Sequence, residues 1–143
     1  MFRRSGPSGF HTDRRTSLRL GRQPQSNTRP EWHVRTLVHS LGHRYRLRNR
    51  DLPGSPDLAN RGRRWAIFVH GCFWHSHPGC PRATLPKNNR ALWEEKFASN
   101  RRRDERACGD LVRAGYRVIV IWECELKKPQ EVLRRLVADL PGL

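Results

Sequence analysis

Acidic residues are scarce in this chain: thirteen Asp and Glu stand against 29 Lys and Arg, for a formal net charge of +16 over 143 residues. That imbalance is silent about the fold and informative about partners, and a polyanion fits it, nucleic acid ahead of an anionic membrane surface. Long apolar runs are also missing. No stretch approaches the roughly 20 residues a membrane-spanning helix needs, and no apolar segment follows the basic N-terminus as a secretory signal requires. The expected setting is therefore the cytoplasm. Hydrophobic residues make up only 36%, so the core must be compact and part of the chain lies outside it. Cysteines number four, and clustered cysteines in a reducing compartment bind metal more often than they pair. The length suits one domain with a real core and is too short for two comfortable ones.

What is present divides the chain in two. Residues 1–27 carry Arg3, Arg4, Arg14, Arg15, Arg19 and Arg22 among Gly, Pro, Ser and Gln, opposed only by Asp13. They read as a flexible basic arm, either tracking phosphates or simply solvated. The domain occupies 28–143. Thr28 is placed to cap a helix whose first turn holds Pro30, with Val34, Leu37, Val38 and Leu41 on one face and Gly42 at its end. Arg44–Arg48 alternates basic and apolar residues, as a half-buried strand does. After the turn Leu52-Pro53-Gly54-Ser55-Pro56, Asp57-Leu58-Ala59 begins a second extended segment, and Trp65–Val69 reads as a buried strand. Asn89–Ala114 is a long helix with Leu92, Trp93, Phe97, Leu111 and Val112 inward. Arg117–Trp122 is the clearest strand, and Pro129 opens a last helix with Val132, Leu133, Leu136 and Val137 on its apolar face. The expectation is an α/β domain, a central mixed sheet flanked by helices.

Three of the seven histidines and two of the four cysteines fall between His70 and Cys80, and Cys124 follows the strongest strand. Zinc takes four tetrahedral nitrogen or sulfur ligands, and close Cys/His pairs plus one distant ligand close such a site. Cys72, His75, His77, Cys80 and Cys124 are five candidates for four places, and spacing alone leaves the choice open. Cys108 stands apart and reads as an ordinary half-buried thiol.

In order along the chain, Leu52-Pro53-Gly54-x-Pro56-Asp57, Phe68-Val69-His70-Gly71-Cys72-Phe73-Trp74-His75, Trp93-x-x-Lys96, Asn100-x-x-x-Asp104 and Trp122-Glu123-Cys124 resemble the very short patch repair (Vsr) mismatch endonucleases, from about Thr28 to Leu126. The resemblance implies a restriction-endonuclease-like core and hydrolysis of one DNA strand 5′ to the thymine of a T:G mismatch, the product of 5-methylcytosine deamination. It assigns Asp57, with the main-chain carbonyl of Val69, to magnesium, and His75 to catalysis with Asp104 orienting it. Glu31 and His70 fall near metal-bound waters. Cys72, His77, Cys80 and Cys124 become the structural zinc ligands, which leaves His75 as the spare. Phe73, Trp74 and Trp93 become aromatics that wedge into the duplex. It further implies a monomer at the bacterial nucleoid, with mismatch-repair accessory proteins as partners. Two departures stand out: Gly79 looks inserted between zinc ligands, and the arm matches the family poorly.

The chemistry is coherent without the analogy. A histidine with an ordinary pKa near 6.5 accepts a water's proton at neutral pH, and a neighbouring carboxylate fixes its tautomer. Each assignment has a plainer competitor. Glu31 is well placed as a helix-start carboxylate, Asp104 as a surface ion pair, and Trp93, beside Leu92 and Phe97, as core. A nicking enzyme without mismatch preference and a zinc-bound DNA-binding module without catalysis remain the competing functions.

Overall fold

The computed structural model describes residues 28–142, so the expected basic arm at 1–27 lies outside the described residues. The first helix, α1 (Arg29–Ser40), opens on a reciprocal cap. Thr28 Oγ1 accepts from the Glu31 backbone N–H at 3.4 Å, and the Glu31 carboxylate accepts from the Thr28 N–H at 2.6 Å. Two of the helix's orphan donors are thereby satisfied. Three strands follow in the sheet order β1–β2–β3: β1 (Leu58–Asn60), β2 (Trp65–His70) and β3 (Arg117–Trp122). The first pair is antiparallel and the second parallel, so the sheet is mixed, as expected. Helix α2 (Arg90–Arg113) is the crossover from β2 to β3, a short 3₁₀ turn covers Glu123–Lys127, and α3 (Pro129–Asp139) closes the described chain. Among the described residues no helix is long and apolar enough to cross a membrane.

Strand alternation sorts the side chains into two cores. Trp65, Ile67, Ile119 and Ile121 meet Val34, Leu37 and Val38 of α1 and Val132 and Leu136 of α3. On the opposite face Ala66 and Phe68 meet Ala107 and Leu111 of α2. The result is a helix–sheet–helix sandwich with β2 buried at its centre.

Two expectations need correction. Arg44–Arg48 is not a strand: it contributes a single bridge, Arg46 to Ala59, because Arg48 turns to a φ of 57° and ends the extension. Val112 and Val137, expected inward, are 60% and 63% exposed. Each follows a buried leucine, Leu111 or Leu136, and the roughly 100° step per helical residue carries it off the core face.

The turn before β1 is fixed by glycine. Gly54 has a φ of +73°, and a Cβ there would lie 2.5 Å from the Ala107 Cβ of α2. The Leu52-Pro53-Gly54 turn therefore lies directly on α2 and sets where Asp57 enters the sheet. Asn49, buried beneath the same turn, donates to the carbonyls of Arg46 at 2.8 Å and Pro56 at 3.2 Å.

Candidate active site and metal centre

Parallel pairing places the ends of β2 and β3 together, with His70 opposite Trp122. Two residues beyond each end stand Cys72 and Cys124, so a register set by core packing delivers a cysteine from each strand to one spot. The intervening loop turns back on itself through His77 N–H to the Cys72 carbonyl at 2.9 Å and Cys80 N–H to the His77 carbonyl at 3.3 Å. The ligand atoms of Cys72, His77, Cys80 and Cys124 consequently all lie within 4.8 Å of one another. A tetrahedral zinc with bonds of roughly 2.0–2.3 Å needs ligands about 3.3–3.8 Å apart, which this cluster meets with little adjustment. Burial pushes the Cys72 thiol up to about 12, so its thiolate is stable there only beside a cation. Cys80 moves the other way, first because the Arg82 backbone N–H bonds its sulfur. The donor set fits zinc, and the expected four come together with His75 outside the group.

Sequence reasoning missed the brace behind this centre. The Glu123 carboxylate accepts from the Cys72 N–H at 3.1 Å and faces the Arg82 guanidinium at 3.8 Å, holding both ends of the loop. The His77 ring is stacked on Trp122, centroids 4.1 Å apart. The signal available was the position of Glu123 directly before Cys124, which by itself names no partner.

His75 rides on the same loop and points elsewhere. Its Nδ1 lies 2.7 Å from Asp104 Oδ2 in α2, both side chains being partly buried, and its ring stacks on His70 with centroids 3.9 Å apart. An acceptor at Nδ1 selects the tautomer with the proton on that nitrogen and leaves the Nε2 lone pair available. His70, buried, is pushed down to about 4 by its burial and then by His75, so it is neutral at pH 7. Its buried Nδ1 has no hydrogen-bond partner among the described residues, the condition for bonding a water. His70, His75 and Asp104 also bring ligand atoms within 4.8 Å of one another, a second group able to hold an ion.

Asp57 lies on the other side of the β2 terminus. Its Oδ2 accepts from the Val69 N–H at 2.7 Å, one residue before His70. Burial, and next its hydrogen bond with Glu31, raise Asp57 to about 8, while the Val69 N–H and the Arg35 charge oppose the rise. A buried Glu31 carboxylate beside the half-buried one of Asp57 marks a place where a cation relieves repulsion, so this pair fits a divalent metal. Glu31 combines both readings, being at once the helix cap and the partner of Asp57. Arg35, one turn along α1, was not anticipated; its position four residues from Glu31 was the available signal. Asp57 and His75 thus flank two consecutive residues of one strand.

The expected wedge is a ring cluster. Phe73 packs edge-on against Trp74 at 4.9 Å, Trp93 at 5.7 Å and Phe97 at 5.2 Å. Phe73 and Trp74 are half-buried at its surface, whereas Trp93 is 1% exposed and lies beneath them.

The family described as DNA mismatch endonuclease Vsr matches residues 9–82, just over half of the chain, beginning well before Thr28. The type II nicking enzyme V.XorIIP of Xanthomonas oryzae is 52% identical over 100 residues, 70% of this chain and 73% of that protein. The type II nicking enzyme V.NmeAIP of Neisseria meningitidis is 37% identical over 134 residues, 92% of this chain and 94% of that protein. The DNA mismatch endonuclease Vsr of Escherichia coli is 37% identical over 101 residues, 71% of this chain and 64% of that protein. The chain therefore belongs to the Vsr family and is a DNA endonuclease.

Proposed function

We propose that the chain hydrolyses one strand of duplex DNA 5′ to the thymine of a T:G mismatch, as a monomer at the nucleoid, on a restriction-endonuclease-like core. The observation that carries this reading is the pairing of an acid and a base at the end of β2. Asp57 is held by the Val69 N–H, and His75 is held by Asp104, on the two sides of Val69 and His70.

In this reading Asp57, supported by Glu31 and the Val69 carbonyl, would hold Mg²⁺, while Cys72, His77, Cys80 and Cys124 would hold a structural Zn²⁺. A magnesium ion held there would supply charge neutralisation for the scissile phosphate and a fixed position for the attacking water. His75 Nε2 takes the proton from that water, and Asp104 stabilises the imidazolium that forms. His70, neutral and buried, bonds the surrounding waters without adding charge. Phe73 and Trp74 enter the base stack, with Trp93 as the floor beneath them. Unstacking costs a few kcal/mol and least at a mismatch, so insertion itself favours damaged duplex. The excess of basic residues supplies phosphate contacts and a steep fall of affinity with salt. Mismatch-repair accessory proteins are the partners to seek first.

A second reading keeps the chemistry and drops the mismatch preference. Its support is that two of the similar proteins are described as type II nicking enzymes. Nicking of a T:G duplex against its T:A control, with and without Mg²⁺, separates the two. The first reading expects Mg²⁺-dependent cleavage of the T:G strand alone, and equal cleavage of both duplexes would leave only the second.

A further inference from the structure

Asn100 sits in the middle of α2 with 8% of its surface exposed, and the chemistry above does not use it. A buried amide must satisfy both ends. Its Oδ1 accepts from the Arg103 guanidinium, which fixes the amide's orientation. Its Nδ2 is thereby directed to the Trp74 carbonyl, 3.0 Å away. One turn further along the same stripe of α2, Asp104 holds the Nδ1 of His75. The helix therefore grips two consecutive loop residues, the backbone of a wedge ring and the imidazole of the base. Trp93 and Phe97, earlier on that stripe, support Phe73 from below.

We propose that Asn100 is a positioning residue that sets the register between the Phe73–Trp74 ring pair and His75, so that insertion of the rings and placement of the imidazole are one event. This rests on the wedge and base assignments proposed above. Asn100 touches neither zinc ligands nor the reacting atoms; it acts through the Trp74 peptide. Removing its donor takes away the bond that ties the Trp74 carbonyl to α2, and the loop is free to shift relative to the helix. Misplacing a catalytic group by about 1 Å costs on the order of 100-fold in rate.

The test uses the zinc-loaded full chain and compares wild type with Asn100→Ala and Asn100→Asp. The aspartate keeps the size but turns an acceptor toward the Trp74 carbonyl, so it should fall at least as far as alanine. Single-turnover nicking of a T:G duplex should slow by about 10- to 100-fold, with duplex affinity within about threefold and zinc content unchanged. Independently of activity, the NMR signal of the His75 Nδ1 proton should shift or broaden in both variants. Wild-type rates together with an unaltered His75 signal would overturn the proposal. So would loss of zinc or of cooperative unfolding in both variants, which assigns Asn100 to the fold. Weakened binding and lost T:G preference at an unchanged rate would also overturn it, making Asn100 a mismatch contact. If wild type cuts neither duplex, the nicking reading fails on its own, and the His75 signal still decides the role of Asn100.

Discussion

At Asp57 the requirements of folding and of the proposed metal binding conflict. Its folded pKa of about 8 lies above the ordinary 3.8, so the native state keeps a proton that the unfolded chain releases. Stability from this group is therefore undiminished below about pH 4 and falls as pH rises toward 8. Asparagine has the same shape: its amide donates to Glu31 and its oxygen accepts from the Val69 N–H. Without added Mg²⁺, Asp57→Asn should be more stable than wild type by on the order of 2 kcal/mol at pH 7.5 and equal to it near pH 4, by urea unfolding. An asparagine variant less stable at pH 7.5 would show that the carboxylate is not strained. At this scale the sequence was legible wherever a motif named a residue type with one chemical use. The family motif brought Asp57, His75 and the clustered cysteines forward as candidates. Glu123, Arg35 and the Asn100 contact were not among them, because charged and amide side chains have many uses and only the fold supplies their partners.

The turn at Leu52–Pro56 shows how an element carries the site. Gly54 meets two constraints at once, a left-handed φ and no room for a Cβ beside Ala107. Gly54→Ala should cost about 2–4 kcal/mol by thermal or urea unfolding. Adding Ala107→Gly should recover the steric part and leave the φ cost. A single variant that unfolds like wild type would contradict the close approach. The strand β3 was read to the residue because its apolar run is continuous, and the long helix nearly so because Gly115 stops it just before that strand. Arg44–Arg48 failed because strict alternation over five residues also arises by chance, and Arg48 and buried Asn49 redirect the chain in a way periodicity does not record. The inward placement of Val112 and Val137 failed for a related reason: apolar identity does not reveal which side of a helix the neighbouring layer covers.

For the whole molecule, the proposed zinc centre joins the sheet's end to the loop that carries His75. His75 lies between ligands, so metal loss should release the loop and the base together. Chelator stripping, or Cys124→Ala, should lower the melting temperature by at least about 10 °C, since a structural zinc contributes on the order of 10 kcal/mol in small sites. Nicking should be lost in parallel and should return when zinc is restored to the stripped wild type. Unchanged melting after complete zinc removal would deny the centre its structural role. The choice of Cys72, His77, Cys80 and Cys124, the four that the fold gathers, came only from the family pattern, because spacing offered five candidates. The parallel register of β2 and β3, absent from any local reading, explains physically why Cys72 and Cys124 meet.

The proposed cleavage requires Asp57 and His75 to serve one reaction. Single-turnover nicking of a T:G duplex should be measured for zinc-loaded Asp57→Asn, His75→Ala and the double variant. Each single change should slow cleavage by at least about 1,000-fold, and the double variant should be little slower than either, as expected for groups that act as a unit. Cleavage by either single variant within tenfold of wild type would contradict it.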